Sequence, residues 1–191
     1  MFFLILGLLI FLGLHSIRIY GEDWRGQQLA QRGEATYKGI YSTLSGVSLV
    51  LIIWGYGLSR ATPIELYSPP GFTRHLASLL MLVSLILLVC AYLPGTRIKG
   101  RLHHPMVISV KVWAFAHLIA NGRLGDVLLF GSFLVWAIFD LRAAKARDRR
   151  EGNSYAPGSW NRDGIAVVIG GVVWWLFARY AHLWLIGVSP M

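Results

Sequence analysis

Long apolar runs, spaced along the whole chain, are the feature that most constrains its fold. A helix needs about 20 mostly apolar residues to cross the roughly 30 Å hydrocarbon layer of a bilayer. Runs at 1–17, 40–58, 76–93 and 164–187 approach or exceed that length. The sequence therefore predicts an all-α fold, a polytopic bundle of transmembrane helices.

The stretch from 105 to 141 decides the number of crossings. Asn121, Gly122 and Arg123 divide it into two short apolar segments, 105–120 and 124–141. Two short helices joined by a tight turn bring the predicted total to six spans. The alternative is five spans, with 105–120 re-entrant or interfacial. The whole chain is predicted to form one transmembrane domain (1–191), with a charged cytoplasmic connector at about 142–163.

The distribution of basic residues predicts the orientation of the spans. With six spans, 13 of the 18 Lys and Arg residues lie in the first, third and fifth loops, and three lie in the opposite loops. Cytoplasmic loops carry such an excess of Lys and Arg. The pattern therefore predicts that both termini lie outside the cytoplasm.

Composition excludes two other classes of protein. The chain is 55% hydrophobic and 14% charged, whereas soluble domains are about 45–50% apolar and about 25% charged. The net charge of +9 would suit a nucleic-acid partner, but the basic residues lie in short clusters between apolar runs. That distribution is typical of membrane proteins. The predicted partner is the lipid bilayer, with no nucleic acid.

Polar residues inside the spans are the candidates for function, because each is costly in a bilayer unless it is paired or hydrated. His15 and His117 lie among apolar residues, whereas His75, His103 and His182 suit anchors at the interface. A structural hydrogen bond between helices is the alternative role for the first two. The Asp and Glu residues lie in loops or at span ends, which disfavours a proton pump.

The inventory of polar residues fits a haem held between helices. Such a site needs one or two neutral imidazoles, apolar walls and cations for the propionates. Helical spacing places Trp113 on the face of His117, and it places Trp175, Arg179 and His182 on one face of the last span. The predicted cofactor is therefore a haem, and its candidate binding residues are His15, His117, Arg74, Arg179, Lys111 and Trp113.

Four stretches of the chain resemble a single family. They are Leu14-His15-Ser16 followed by Arg18, VLIIWGYG at 50–57, PPGFTRHLASLLM at 69–81, and HPMVISVKVWAFAHLIANG at 104–122. The last stretch is the most distinctive. Together they resemble the NnrU family of bacterial membrane proteins. The resemblance implies a multi-pass protein of the bacterial inner membrane, with both termini periplasmic, linked to nitrite and nitric oxide metabolism in denitrification.

The same resemblance implies a pair of iron ligands. The NnrU family is similar to 15-cis-zeta-carotene isomerase, a membrane enzyme that binds b-type haem. By motif, the two ligand histidines of that enzyme correspond to His15 and His117. The isomerase also uses an alternate cysteine ligand, and the corresponding position here is Ala114. That departure weakens the expectation of the same reaction.

The predicted depths of the histidines leave a rival ligand open. With the termini outside, His15 lies near the cytoplasmic end of its span and His117 lies nearer the outer end. At 1.5 Å per residue their depths differ by about 10–15 Å. His104 lies at about the depth of His15 and is the rival ligand. The family motif favours His117.

Three functions are consistent with these features. The first is a haem-dependent membrane enzyme or redox protein, which includes a cis-trans isomerase of a polyene. The second is an accessory protein of nitrogen-oxide respiration, and the third is a membrane scaffold without a cofactor. The corresponding partners are a lipophilic substrate or nitrogen-oxide respiratory proteins. The sequence identifies no catalytic residue.

Overall fold

The computed structural model describes residues 1–190 and confirms the all-α fold. Met191, the terminal residue predicted to be periplasmic, lies outside the described residues. The helices, in chain order, are α1 (Phe2–Tyr20), α2 (Glu22–Arg32), α3 (Glu34–Ala61), α4 (Phe72–Tyr92), α5 (Arg97–Leu102), α6 (Pro105–Ala120), α7 (Leu124–Glu151), α8 (Trp160–Leu176), a π-helical turn (Phe177–Ala181) and α9 (His182–Ile186).

Five helical segments are long and apolar enough to cross a membrane. They are α1, α3, α4, α7 and the continuous run Trp160–Ile186. The shorter apolar helix, α6, has 16 residues. Its length of about 24 Å is less than the roughly 30 Å of a hydrocarbon layer. The choice between six and five spans therefore depends on α6 alone.

The two ends of the bundle differ in character. At one end, called here the turn end, α1 begins and α6 meets α7 through residues 121–123. At the other, called the basic end, α1 leads into α2, and α7 ends among Arg147, Arg149 and Arg150. All the long helices run between these two ends.

Small residues bring α1 and α3 into close contact. A Cβ atom added at Gly7 would lie 2.8 Å from the backbone nitrogen of Ile52, and one at Gly55 would lie 2.2 Å from that of Leu4. Only glycine fits at these two positions without moving the partner helix. Small residues have this role in membrane bundles, where close backbone approach allows extensive van der Waals contact.

A reciprocal pair of serines joins α4 to α6. The Ser84 hydroxyl donates to the carbonyl oxygen of Ser109 at 2.9 Å, and the Ser109 hydroxyl donates to that of Ser84 at 2.8 Å. Both side chains are buried. On the opposite side of α4, Gly170 of α8 lies directly against Ile86. These contacts hold α4 between α6 and α8.

The long helices pack in the order α3, α1, α7, α6, α4, α8, and α7 also contacts α3. The buried apolar core lies where α1, α3, α6 and α7 meet. The carboxyl-terminal segment returns to α3, since the Arg60 guanidinium donates to the carbonyl oxygen of Ile186 at 2.5 Å. The core consists of Leu4, Leu8, Ile52, Ala114, Leu129 and Phe130.

The segment predicted as a charged connector, 142–163, contains the last turns of α7, a non-helical stretch and the first turn of α8. Gly152 ends α7 in the left-handed conformation, with φ of 65°. The Ser159 N–H donates to the carbonyl oxygen of Gly95 at 2.9 Å. The stretch before α8 is thereby attached to the segment that leads into α5.

Candidate functional site

His15 is on α1, toward the basic end, and its ring faces α3 and α7. Its Nδ1 forms a hydrogen bond of 2.7 Å with the carbonyl oxygen of Phe11, one turn earlier. The imidazole stacks on the Phe11 ring at a centroid distance of 4.1 Å. Tyr41 and Trp136 approach it at 5.4 and 6.0 Å. The indole N–H of Trp136 is buried and has no acceptor among the described residues.

His117 lies between α6 and α7, nearer the turn end. Its Nδ1 forms a hydrogen bond of 2.9 Å with the carbonyl oxygen of Trp113, again one turn earlier. The imidazole stacks on Phe130 at 4.5 Å, and the Trp113 ring lies 5.5 Å away. The Asn121 amide donates to the carbonyl oxygen of His117 at 2.9 Å. These contacts fix the ring on a wall of aromatic side chains.

The two histidines share one hydrogen-bond arrangement. In each, Nδ1 contacts a backbone carbonyl, so it carries the proton in a neutral ring, and Nε2 makes no hydrogen bond to any residue within 1–190. A metal-ligating histidine commonly donates one ring N–H to a carbonyl or carboxylate and binds the metal through the other nitrogen. Both rings are therefore chemically suited to bind a metal through Nε2.

The structure places the two imidazoles at different depths. His15 contacts Trp136 and His117 contacts Phe130, and these partners are six residues apart on α7, or about 9 Å along the helix. An unbroken series of ring contacts links the two histidines, from Phe11 to Phe133 at 5.7 Å and from Phe133 to Trp113 at 5.5 Å. Trp113, a predicted site residue, thus lies between them in this series.

The rival ligand His104 lies in a separate cluster at the basic end. Its Nε2 contacts the Asp148 carboxylate at 2.7 Å, and the Tyr155 hydroxyl donates to the same carboxylate at 3.1 Å. His103 stacks on Tyr155 at 4.2 Å. Partial burial raises the pKa of the Tyr155 hydroxyl above its usual value, and the bond to Asp148 raises it further. The Nε2 that would bind iron is therefore already engaged in His104.

The three predicted cations do not converge on either histidine. Lys111 is partly buried on α6 and has no hydrogen bond or ion pair to a described residue. Arg74 is exposed in the first turn of α4. Arg179 is also exposed, and its guanidinium lies 5.5 Å from the Tyr180 ring. No protein carboxylate pairs with any of the three within residues 1–190.

The π-helical turn in the last span alters which residues share one face of that helix. The prediction from helical spacing is therefore affected. Trp175 packs edge-on against Tyr180, five residues later, at 5.7 Å. That spacing belongs to a π-helix rather than an α-helix. The prediction of a single face shared by Trp175, Arg179 and His182 assumed an uninterrupted α-helix, and the π-helical turn breaks that assumption.

Two polar contacts at the turn end were not anticipated from the sequence. Asp126 is buried, and its carboxylate accepts a hydrogen bond of 2.6 Å from the Tyr56 hydroxyl and one of 3.2 Å from the Arg123 backbone N–H. Gly122 contacts the loop 62–71, since a Cβ there would lie 1.8 Å from the carbonyl oxygen of Tyr67. The local part of this arrangement has a sequence signal, because an acid three residues into a helix is a common capping feature.

Two cavities open between α1 and α7, and neither is lined by His15 or His117. One has a volume of about 530 Å³ and is mainly apolar, with Leu12, Val135 and Trp136 in its wall. The other, of about 580 Å³, lies at the basic end and includes Arg18 and Arg147. Ile19 and Tyr20 border both, so the two cavities adjoin, and together they are called the groove here.

Comparison with known proteins gives a single match. The family model described as NnrU protein matches residues 3–190, nearly the whole chain. No curated protein and no solved structure matches the chain. The resemblance carried by the motifs at 14–18 and 104–122 is thereby confirmed at the level of the family.

Proposed function

The chain belongs to the NnrU family, and we propose that it is an integral membrane protein that binds b-type haem through His15 and His117. In this proposal it acts in the bacterial inner membrane, with both termini periplasmic, in nitrite and nitric oxide metabolism. The proposal combines the family resemblance with the chemistry of the two histidines. It assigns no reaction to the protein.

The observation that carries the proposal is the hydrogen-bond arrangement that the two imidazole rings share. Each has Nδ1 engaged by a carbonyl and Nε2 without a partner among the described residues. Aromatic side chains surround both rings, as a porphyrin requires. The buried indole N–H of Trp136, close to His15, also lacks an acceptor, and such a group in a native structure often indicates an absent partner. The chemistry of each Nε2 therefore suits an iron ligand, and one iron would join both only if the two rings approach each other from their different depths.

One further feature favours His15 and His117 over the rival. His104 already uses Nε2 in its contact with Asp148, so it would have to break that contact to bind iron. A bound haem would supply an iron centre capable of redox chemistry. The residues of the chain would supply the ligands and the aromatic walls.

Lys111 is the predicted cation that is partly buried and shares α6 with His117, although helical spacing places its side chain about 120° away from that ring. It forms no ion pair within 1–190. An unpaired Lys in a span costs about 2.5–3.5 kcal/mol on insertion scales. We expect Lys111→Leu to lower haem retention while the protein still inserts. An unchanged spectrum and higher stability would instead assign Lys111 to a snorkelling role at the interface.

Polyene isomerisation by haem is a less favoured alternative. The position of the alternate cysteine ligand is Ala114, which is fully buried in the apolar core. The methyl side chain of Ala114 cannot bind iron, so this chain cannot make the same ligand exchange at that position. A cofactor-free scaffold is the remaining alternative, and the absorption spectrum separates it from the haem proposal.

The test is the absorption spectrum of the full-length protein, purified from cells supplied with a haem precursor. A Soret band is expected. His15→Ala and His117→Ala should each abolish or alter it, and loss of one ligand should give a high-spin form that binds carbon monoxide. His75→Ala, at an exposed position on α4, is the matched control and should keep the parent spectrum.

Three outcomes would overturn the proposal. The absence of a Soret band with haem supplied would leave the cofactor-free scaffold as the remaining function. Loss of haem in His104→Ala with retention in His117→Ala would make His104 the ligand. A parent spectrum in both His15→Ala and His117→Ala would exclude the proposed pair. Orientation is tested separately, since a reporter fused after Arg150 should read cytoplasmic.

A further inference from the structure

The groove between α1 and α7 has two chemically different halves. The half at the depth of the hydrocarbon layer lies on the outer face of the bundle and is lined by Leu12, Val135, Trp136 and Phe139. The half at the basic end is lined by four arginines and two acids, Arg18, Arg147, Arg149, Arg150, Glu22 and Asp23. Since Ile19 and Tyr20 border both halves, one elongated molecule can occupy the whole groove.

The charges at the basic end are only partly satisfied by the protein. Glu22 pairs with Arg18 at 3.9 Å and with Arg25 at 2.9 Å. The Arg147 guanidinium donates to the carbonyl oxygen of Arg18 at 3.0 Å, which adds no negative charge. Arg149 and Arg150 form no ion pair with a residue in the described part of the chain. The opening of the groove therefore carries an excess of positive charge.

The dimensions of the apolar half match a single leaflet. It extends from Gly131 to Phe139 along α7, which is about 12 Å at 1.5 Å per residue. Half of a hydrocarbon layer of roughly 30 Å is about 15 Å. The groove is thus apolar over the depth of one leaflet and basic where that leaflet meets water.

We propose that this groove binds an anionic phospholipid of the leaflet at the basic end. One acyl chain lies between α1 and α7, and the phosphate is held by Arg147 and Arg150. A free phosphate would use only the basic half, whereas a lipid uses both. Anionic lipids are attracted to basic residues at a membrane surface, and bidentate arginine contacts suit phosphate groups. The site is separate from His15 and His117.

The test uses the full chain in micelles that contain equal amounts of phosphatidylglycerol and phosphatidylcholine. Native mass spectrometry then measures the ratio of the two lipids that remain bound. The parent protein should retain phosphatidylglycerol preferentially. Arg147→Gln/Arg150→Gln should reduce that preference about 10- to 30-fold. The control Arg142→Gln/Lys145→Gln removes the same charge from exposed positions outside the groove, and should reduce it less than about threefold.

The apolar half is tested by filling it. Gly131 lines the groove, and a Cβ there would meet nothing within 4 Å. Gly131→Leu should therefore fold and should lower the retention of both lipids. The matched control is Gly171→Leu on α8, where a Cβ also meets nothing within 4 Å.

Three results would overturn the proposal of a lipid site. Equal losses in the two double variants would show a diffuse surface potential rather than a site. Normal lipid retention in Gly131→Leu would exclude the acyl chain from the groove. Displacement of phosphatidylglycerol by millimolar inorganic phosphate would assign the basic half to a soluble anion. None of these readouts depends on haem, so the two proposals fail independently.

Discussion

Where α1, α3 and α7 meet, the turn end and the basic end of the bundle are held together by different kinds of contact. At the turn end, Gly55 lies directly against Leu4, and the buried Asp126 accepts a hydrogen bond from Tyr56. At the basic end, α3 begins with mostly exposed residues, and a groove separates α1 from α7. Close packing and a buried polar network fix one end, whereas partly exposed polar contacts connect the other.

This difference bears on the two histidines. His117 lies toward the close-packed end, stacked on Phe130 of the core. His15 lies toward the open end, where Tyr41 and Trp136 are its neighbours beyond its own helix. Phe130 is buried, whereas Tyr41 and Trp136 are only partly buried, so the neighbours of His15 are the more easily displaced. If one iron is to join both, we expect His15 to move.

The largest expected effect comes from filling the glycine contact at the turn end. In Gly55→Ala the new Cβ would lie 2.2 Å from the Leu4 backbone nitrogen, so α1 and α3 must separate. Overpacking costs about 1–3 kcal/mol and sometimes more. We expect a loss of about 3 kcal/mol or more, measured as a lower apparent Tm in detergent.

The matched control is Gly57→Ala, two residues along the same helix, where a Cβ would meet nothing within 4 Å. Replacement of Gly by Ala in a helix gains up to about 1 kcal/mol, so the control should be neutral or stabilised. An equal loss of Tm in the two variants would contradict the contrast in packing between the ends.

A smaller effect is expected from the polar pair at the same end. Tyr56→Phe removes the donor to Asp126, which is 4% exposed. Hydrogen bonds to charged groups contribute about 1.5–3 kcal/mol, and the remaining Arg123 N–H satisfies only part of the carboxylate. We expect a loss of about 2 kcal/mol in chemical unfolding. Tyr92→Phe, which alters a 73% exposed tyrosine, should change stability by less than about 0.5 kcal/mol.

The smallest effect is expected at the basic end, and it depends on pH. The pKa of Tyr155 is raised in the folded protein by burial and by its hydrogen bond to Asp148. Its contribution to stability is therefore complete below the unfolded-state pKa of about 10 and is lost as the pH rises through the higher folded-state pKa. Tyr155→Phe should weaken the fall of Tm as the pH rises above about 10. A fall of Tm that is steeper in Tyr155→Phe than in the parent protein would contradict this assignment.

Hydropathy predicted the spans well because a bilayer imposes a length and an apolar composition on each of them. The predicted segment 105–120 coincides with α6. The end of α7 was placed too early, at 141, since the helix continues to Glu151. Charged residues outside a membrane can remain helical, and the Ala, Lys and Arg residues that follow Leu141 favour a helix.

The site was predicted less completely, because its contacts depend on how the helices pack. Helical spacing correctly placed Trp113 beside His117, a relation within one helix. The contact between Tyr56 and Asp126 joins residues that are 70 positions apart, and no local pattern indicates it. The π-helical turn at 177–181 has no breaking Gly or Pro within it to signal the change of spacing.

The serine pair between α4 and α6 has a consequence for membrane insertion during synthesis. As a lone helix, α6 would be short for a bilayer, and it would present Lys111 and the hydroxyl of Ser109 to lipid. α4 is made first and offers Ser84 as the partner for Ser109. α6 is thus expected to enter the bilayer only alongside α4. A defect at Ser84 would then appear as reversed orientation of the helices that follow.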